Sequence, residues 1–463
     1  MLCKYISISG QAVRQHVAHP RHSPLRFRDP KQIICKIGIV FRIFIYLHMY
    51  HLNMIERSIY RQILHSIELR PVTLITGARQ VGKTTLCLKL RDERHYSYVT
   101  LRDKNERAMA RVNPDMFLKL HPCPLIIDEV QYAPGLLESV ETVTDRMVIE
   151  GKDNKGMFVL TGSQAYKLME GVSDSLAGRI SIINMSPLSM SELAVREEVP
   201  FDIDIEKNTE RSSGIRTDVR GFYDRLIRGM YPEPQSQPSL GTDEFYSDYV
   251  DTYIDRDVSE IINIGNKDKF HSFMQLMASL TGQELNYERI ASDVGIDGKT
   301  VKKWISVLIA GDIIHLLQPY SDRSVSKRIV KRPKVYFWDT GLACHLARVL
   351  DADSLMAGYL KGPMTETFMV GEILKTYRNN RLESPCYYYR DSNGNEVDIV
   401  MVRNGKVSLA ECKSGSEFGW DDIKTVDRGI PSQYPIGGRC IICLADKVYP
   451  INDKVYAVPY TAI

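Results

Sequence analysis

The sequence lacks the usual features of a secreted or membrane-spanning protein. Its nine cysteines are scattered and odd in number, so no disulfide framework is visible and a reducing cytoplasm is expected. Cys440 and Cys443 lie in an apolar, strand-like run, and no second pair completes a zinc site, so we interpret them as core. The apolar run at residues 37–47 is interrupted by Arg42 and is too short for a membrane span. We therefore expect a cytoplasmic protein without a membrane partner.

Charge is spread unevenly along the 463 residues, which are enough for about three domains. Residues 1–53 hold eight Lys or Arg and one Asp, so residues 54–463 carry 52 basic against 56 acidic side chains, a net charge of −4. Because this body is not broadly basic, nucleic acid would have to bind to local patches. An amphipathic segment begins at Met54, and we expect translation to start there, with residues 1–53 outside the fold; a membrane anchor is the alternative.

The pattern at residues 77–84 predicts a phosphate-binding loop. An apolar strand precedes it and a helix start follows it, which is the order that a bound phosphate needs. Gly77 and Gly82 let the backbone curl so that successive N–H groups point inward. Lys83 can reach the β- and γ-phosphates, and the Thr84 hydroxyl can hold Mg²⁺. The loop that we expect to bind ATP or GTP consists of Gly77, Ala78, Arg79, Gln80, Val81, Gly82, Lys83, Thr84 and Thr85.

A second motif, residues 124–131, indicates nucleotide hydrolysis. It is a short apolar run, typical of a buried parallel strand, that ends in Asp128 and Glu129. The carboxyl end of such a strand is where open α/β sheets place ligands. Asp128 would bind Mg²⁺ directly or through water, and Glu129 would be the base for a hydrolytic water. The acid pair favours hydrolysis over a nucleotide-monophosphate kinase.

Further side chains are candidates for contacting the γ-phosphate. Thr161 or Ser163, at the end of a third apolar strand, could touch this phosphate or the attacking water. Arg179 could reach it within the same chain or across a subunit boundary, and would otherwise be a surface arginine near a helix end. Arg256 is another candidate, although a salt bridge on a helix surface is the stronger interpretation.

The sequence becomes more polar and charged near the end of the nucleotide-binding core, which we assign to residues 54–205. Residues 206–282 are expected to form a linker and a helical lid behind the nucleotide site. Residues 283–345 fit a helix, a glycine turn and a second helix, followed by two strands around a basic turn that includes Arg332 and Lys334. This order predicts a winged-helix-like module.

The start of the second helix of this module carries three lysines, Lys299, Lys302 and Lys303. A recognition helix would meet DNA at this position. The alternative is that the module is an interaction platform and that its lysines are only solvated.

The final segment holds a second chemical constellation. Asp398 starts one predicted strand, and Glu411 and Lys413 share one face of the next. The two carboxylates could hold Mg²⁺ against a phosphate, while the lysine could orient or activate a water. Glu366 or Glu372 could add a ligand from the preceding helix. The alternative is an ordinary hairpin with exposed charges.

Taken in order, these motifs resemble a large bacterial and archaeal family of AAA-type ATPases with a C-terminal domain of unknown function. That C-terminal part is similar to restriction-endonuclease-like folds. The resemblance covers the chain from Met54 onward and implies ATP as the nucleotide. It also implies that Lys83 and Thr84 bind phosphate and Mg²⁺, that Asp128 and Glu129 serve metal and water, and that the nuclease-like site consists of Asp398, Glu411 and Lys413.

We therefore predict an α/β protein with a P-loop NTPase core built on a parallel sheet. A helical lid and winged-helix region would follow, and then an α/β restriction-endonuclease-like domain at residues 346–463. The predicted function is ATP hydrolysis coupled to DNA binding or processing. The alternative is a nucleotide-dependent regulatory switch with an inactive nuclease-like domain that binds protein or nucleic acid. A homo-oligomer or a protein partner is compatible with either.

Overall fold

The computed structural model describes residues 54–162, 176–252, 267–321 and 332–463. Its first part is a sheet of five strands: β1 (Val72–Thr76), β2 (Ser97–Thr100), β3 (Leu125–Asp128), β4 (Phe158–Thr161) and β5 (Ile180–Asn184). Their spatial order is β2-β3-β4-β1-β5, and every pair is parallel. The predicted α/β core with a parallel sheet is confirmed, and β4 lies between the strand before the phosphate loop and the strand that ends in Asp128.

Both faces of this sheet are covered. Leu74 and Ile127 belong to one buried hydrophobic cluster, whereas their neighbours Ile75 and Ile126 belong to another, because alternate strand residues point to opposite faces. A ligand can therefore reach the sheet only at its edges. The helices of this part are α1 (Tyr60–Leu69), α2 (Lys83–Arg94), α3 (Lys104–Val112), α4 (Pro114–Leu120) and α5 (Leu136–Ile149).

Short helices follow the first sheet, and aromatic side chains in this region are buried. Tyr231, Tyr246 and Tyr249 are each at most 1% exposed. The Tyr231 hydroxyl donates to the Tyr249 hydroxyl at 2.9 Å. The region predicted as linker and lid thus packs into the main core. Its helices are α6 (Met190–Leu193), α7 (Ile205–Ser212), α8 (Val219–Arg228), α9 (Pro232–Ser236), α10 (Thr242–Thr252) and α11 (Lys267–Ser279).

The helix, glycine turn and helix expected from the sequence are present. They are α12 (Tyr287–Val294) and α13 (Gly298–Ala310), and Gly295 between them has a left-handed φ of +69° that favours glycine. Strands β6 (Ile314–Leu317) and β7 (Lys334–Phe337) then form an antiparallel pair. Most of the predicted basic turn lies outside the described residues. DNA binding by this module stays a prediction.

The C-terminal part is a mixed sheet with the order β12-β13-β11-β10-β9-β8. Strands β8, β9 and β10 are antiparallel neighbours, whereas β10, β11 and β13 run parallel. Both cysteines of the pair predicted as core are buried on β11. The elements are α14 (Thr340–Leu346), α15 (Ala352–Ala357), α16 (Lys361–Asn379), β8 (Cys386–Arg390), β9 (Glu396–Arg403), β10 (Lys406–Cys412), α17 (Trp420–Arg428), β11 (Ile436–Cys443), β12 (Tyr449–Pro450) and β13 (Tyr456–Pro459).

Residues 55–463 form one compact unit. The rings of Phe222 and Tyr460 lie 4.8 Å apart and those of Phe222 and Phe368 lie 5.4 Å apart, so helix α8, helix α16 and the last residues share one core. The predicted boundaries thus divide the sequence but not its hydrophobic core. Within the described ranges, no helix is long and apolar enough to span a membrane.

Candidate active site and a second carboxylate cluster

The phosphate loop connects β1 to the N-terminus of α2. Gly77 has a φ of +133°, and a Cβ on it would lie 2.2 Å from the Met185 backbone oxygen. Gly82 has a φ of +96°. No side chain fits at the first glycine and an L-residue is strained at the second, so the loop has the tight curvature that a phosphate cradle requires.

Lys83 points back into this loop. Its side-chain nitrogen donates hydrogen bonds to the carbonyl oxygens of Gly77 at 2.8 Å and Ala78 at 2.6 Å. Burial lowers the pKa of Lys83 to about 8. The ammonium is thus held inside the cradle, where the phosphates of a nucleotide could replace the carbonyl oxygens as its partners.

Asp128 lies within reach of the helix that starts at the loop. Both of its carboxylate oxygens are 3.4 Å from the Thr84 hydroxyl. Tyr98 donates to Oδ2 at 3.1 Å, and Thr161 donates to Oδ1 at 2.5 Å. A hydroxyl and a carboxylate that share a pocket are the oxygen donors that Mg²⁺ takes in nucleotide sites, so these residues fit the ion.

Glu129 follows at the end of β3 in a left-handed conformation with φ +62°. Its backbone N–H donates to the Thr161 hydroxyl at 3.1 Å. The carboxylate accepts hydrogen bonds from Arg102 and Gln131. Burial alone would raise the pKa of Glu129, but these hydrogen bonds and the positive charges outweigh it and lower the pKa. Glu129 is therefore ionised near neutral pH, as a base must be.

Two arginines of this site were not predicted from the sequence motifs. Arg102 follows the end of β2, the strand that neighbours β3. Its position after a parallel strand could have indicated that it lies at the same edge of the sheet as Glu129. Arg57 donates to the carbonyl oxygens of Val81, at 2.5 Å, and Ser186, at 2.7 Å, and so ties the phosphate loop to the segment after β5. No motif marks Arg57 in the sequence.

Arg179 is not brought to the phosphate loop. It precedes β5, whose first residue pairs with Val72, the first residue of β1, so it lies at the opposite edge of the sheet. Its guanidinium pairs there with Asp145 at 2.6 Å and Glu141 at 3.2 Å. Contact with a phosphate in the same chain is excluded by this placement, and contact across a subunit boundary stays a prediction. Two of the γ-phosphate candidates, Ser163 and Arg256, lie outside the described residues.

The acids of the C-terminal motif do meet, but a lysine lies among them. Asp398 on β9, Glu366 on α16 and Glu396 on β9 all contact the Lys334 ammonium, at 3.2, 2.8 and 2.5 Å respectively. The prediction that Lys334 belongs to the basic turn is wrong, because Lys334 is the first residue of β7 and its side chain is 3% exposed. Strand β7 pairs with β6, and Lys334 at the start of β7 contacts acids of α16 and β9.

Glu411 and Lys413 complete the cluster at the end of β10. The Lys413 ammonium pairs with Glu411 at 3.3 Å. Burial and the neighbouring charge of Asp398 raise the pKa of Glu411, and the same causes raise the pKa of Glu366 to about 7. Of the two helix acids proposed as extra ligands, Glu366 joins the cluster. Glu372 lies elsewhere, where it accepts from the Met190 N–H at 2.7 Å and pairs with a buried lysine.

This cluster does not fit Mg²⁺ in the described arrangement. One oxygen of Asp398 accepts from Lys334 and the other accepts from the Cys412 N–H at 2.9 Å. Glu411 retains one buried oxygen with no hydrogen-bond partner in the described part of the chain. A metal site needs several free oxygens together, and no group of three or more His, Cys, Asp or Glu among the described residues could hold a metal ion.

The lysines of α13 are exposed, and they line a groove. A cavity of about 760 Å³ is bordered by Lys299, Lys302 and Arg332 together with Tyr287. A second cavity, of about 340 Å³, shares Arg332 and extends to Lys334, at the carboxylate cluster. The two cavities share Arg332, and basic side chains outnumber acidic ones in both linings. The acids are Glu288 and Asp297 in the first and Glu284 and Glu396 in the second.

Comparison with known proteins matches three family models to separate parts of the chain. An AAA domain matches residues 69–194, a domain of unknown function (DUF8612) matches residues 219–353, and another domain of unknown function (DUF4143) matches residues 361–463. Two uncharacterized proteins, from Mycobacterium bovis and Mycobacterium tuberculosis, are each 24% identical over 390 residues, which is 84% of this chain and 80% of theirs.

Two solved structures have limited similarity to this chain. The Walker-type ATPase of Pyrococcus abyssi is 15% identical, with 63% of this chain and 96% of that chain covered and a TM-score of 0.39. A RuvB variant of Thermotoga maritima is 14% identical, with 56% and 88% covered and a TM-score of 0.28.

The AAA match spans the phosphate loop and both acids of β3, the residues that the geometry brings to one edge of the parallel sheet. Residues 69–194 therefore match an AAA domain, and this match together with the geometry of the phosphate loop supports binding and hydrolysis of ATP. The C-terminal match carries no function with it.

Proposed function

We propose that this protein couples ATP hydrolysis at the phosphate loop to binding of DNA by the helix-turn-helix and the groove beside it. The observation that carries the proposal is the basic surface formed by the exposed lysines of α13 and by Arg332. Positive charge at the start of a second helix supplies the phosphate contacts on which most nucleic-acid affinity depends. The rest of the chain is net acidic, so this patch is a local feature.

The residues of the ATPase domain have distinct roles in this proposal. Backbone N–H groups of the loop and Lys83 bind the phosphates of ATP, while Thr84 and Asp128 would hold Mg²⁺. The ion supplies neutralisation of phosphate charge when it is bound. Glu129 accepts a proton from the attacking water, and Thr161 positions both acids through its hydroxyl.

The C-terminal topology supports a nuclease-like fold. Helix α16 is followed by the antiparallel strands β8, β9 and β10, helix α17 and the parallel strand β11, so Asp398 and Glu411 lie on neighbouring strands as the sequence motif requires. We assign this domain to DNA binding or processing together with the groove, because the groove reaches its carboxylate cluster.

The test is ATP turnover by the full chain with and without double-stranded or single-stranded DNA. We expect DNA to raise turnover, and Lys83→Ala and Glu129→Gln to abolish it. A variant with Lys299, Lys302 and Lys303 changed to Ala should keep the basal rate and lose the stimulation. The matched control changes three exposed lysines of the ATPase domain, Lys119, Lys152 and Lys155, to Ala and should behave as the wild type. Turnover that is indifferent to every form of DNA would refute the coupling.

A second function is favoured by one observation, the Lys334 ammonium among the C-terminal acids. It supports a nucleotide-dependent switch whose nuclease-like domain binds a partner and does not cleave. Turnover that responds to a protein and not to DNA, with no cleavage of DNA or RNA, would select this function.

A further inference from the structure

Lys334 occupies the centre of the C-terminal carboxylate cluster. Its ammonium contacts Glu366, Glu396 and Asp398 at 2.5 to 3.2 Å, and the Tyr388 ring centroid lies 5.7 Å away. An ammonium group has three N–H donors, and three carboxylates surround this one. The group is thus fully satisfied by acids that come from a helix and from a strand of the C-terminal part.

Two of these acids, Asp398 and Glu366, are among those expected from the sequence to hold a divalent cation. Lys334 bridges Asp398 and Glu366, which lie on different elements, in the way that a metal ion bridges two ligands. Tyr336, two residues further along β7, donates to Glu366 at 2.6 Å and holds this carboxylate toward the lysine. Strand β7 therefore contributes both the cation, Lys334, and a hydroxyl that positions Glu366, from Tyr336.

The hydrogen bonds of Asp398 favour the lysine over an additional metal ion. One oxygen of Glu411 pairs with Lys413, and both oxygens of Asp398 accept hydrogen bonds. A divalent ion placed beside Lys334 would meet a buried positive charge at short range, where water does not screen the repulsion. The ammonium therefore competes with a metal ion for the oxygens of Asp398 and Glu366.

We infer that Lys334 takes the place of a divalent metal ion among the C-terminal acids. While the lysine is in place, these acids anchor strand β7 and do not act as a metal-dependent nuclease centre. This inference does not depend on the coupling of ATP hydrolysis to DNA. It concerns only which cation the acids of α16 and β9 hold.

The test measures binding of Mn²⁺ alone to the full chain without nucleotide, by electron paramagnetic resonance. We expect the wild type and Asp398→Asn to bind Mn²⁺ equally, because the cluster does not bind the metal in either. Lys334→Met should gain one Mn²⁺ per chain, and the double variant Lys334→Met/Asp398→Asn should lose it again. Lys303→Met, an exposed lysine of α13, is the matched control and should leave binding unchanged.

Three results would overturn the inference. The first is Mn²⁺ binding by the wild type that disappears in Asp398→Asn. The second is Mn²⁺-dependent cleavage of DNA by the wild type that is lost in the same variant. The third is a folded Lys334→Met protein that gains no metal site. Should Lys334→Met fail to fold, the comparison of the wild type with Asp398→Asn still decides, because it needs no change to the lysine.

Discussion

Side chains at the phosphate edge depend on neighbours that are far away in sequence. Glu129 is held by Arg102, 27 residues earlier, and Asp128 is held by Thr161, 33 residues later. Parallel strands end at the same edge, so residues that follow successive strands meet there. Each acid thus accepts a hydrogen bond from a residue outside its own motif.

Arg102 is expected to tune the ATPase reaction through Glu129. Its guanidinium lowers the pKa of this carboxylate, so Arg102→Ala raises it. A general base acts when it is ionised, and the acidic limb of the pH profile of kcat/KM should therefore move to higher pH. Steady-state ATP hydrolysis across the pH range measures the limb. Arg91→Ala, at an exposed arginine paired with Asp92, should leave it in place, and an unmoved limb in Arg102→Ala would contradict this role.

Gly77 is expected to tolerate no side chain. An alanine methyl group would meet the Met185 backbone oxygen, and the φ of +133° is strained for any L-residue. Gly77→Ala should lower the free energy of unfolding by about 2 kcal/mol or more. Denaturant unfolding would show this, beside Gly135→Ala as control, since a Cβ at Gly135 meets nothing within 4 Å and its φ is −61°. Equal stability of the two variants would argue against the clash.

At the scale of elements, one buried carboxylate connects three of them. Asp339 caps α14 by accepting from the Leu342 N–H at 2.8 Å, and it also accepts from the Met230 N–H and from the Tyr246 hydroxyl. Burial raises the pKa of Asp339, while these hydrogen bonds act in the opposite direction. The cap therefore ties α14 to the end of α8 and to α10.

Asp339→Ala is expected to be strongly destabilising. It would leave the Leu342 and Met230 N–H groups without an acceptor, and each costs about 1 kcal/mol or more, so the free energy of unfolding should fall by at least about 2 kcal/mol. The Tyr246 hydroxyl would keep the Arg228 carbonyl as its acceptor, at 3.2 Å. Urea unfolding of the variant measures the loss. The control is Asp351→Ala, at the exposed N-cap of α15, which should have a much smaller effect. A loss no greater than that of the control would show that the Leu342 and Met230 N–H groups find other partners.

The lysines of α13 are expected to contribute salt-dependent affinity. If Lys299, Lys302 and Lys303 each neutralise one phosphate, the slope of log K against log salt for DNA binding should fall by about 2 to 3 in the triple Ala variant. Fluorescence anisotropy at several salt concentrations gives the slope. The triple variant at Lys119, Lys152 and Lys155 should retain the wild-type slope, and an equal change in both variants would indicate unspecific charge attraction.

At the scale of the whole molecule, the hydrophobic core extends across the domain boundaries expected from the sequence. Arg196 donates to the Thr461 carbonyl at 2.9 Å, and Arg211 donates to the Ala462 carbonyl at 3.0 Å. Together with the ring contacts of Tyr460, these bonds join the last residues to the segment after the first sheet. The C-terminal part is therefore completed by helices that precede it in the chain.

Residues 346–463 are accordingly expected not to fold alone. Cutting after residue 345 would expose Phe368 and Tyr460, which now pack against Phe222, and would remove Lys334 from the carboxylate cluster. Circular dichroism during urea unfolding should show one cooperative transition for the full chain and none for the isolated segment. A cooperative transition in the segment would show that its own sheet suffices for stability.

The phosphate loop and the acids after β3 could be predicted because each motif is contiguous. The strand, the glycines and the lysine act over a few residues, and their spacing determines their local geometry. The placement of Arg179 could not be predicted, since a residue before a strand and one after it are close in sequence but lie at opposite edges of the sheet. The pairing of the strand decides this, and pairing is a long-range property.

Sequence by itself determined the nucleotide chemistry of this protein, the parallel sheet that presents it and the helix-turn-helix that follows. These depend on local propensity, hydrophobic patterning and motif spacing. Only the tertiary structure decided that Lys334 leaves the basic turn and enters the acid cluster, that Arg102 holds Glu129, and that the C-terminal residues complete a shared core. Each of these contacts joins residues at least 27 positions apart, and it forms because burying a charge or an aromatic ring requires a partner that only the folded chain supplies.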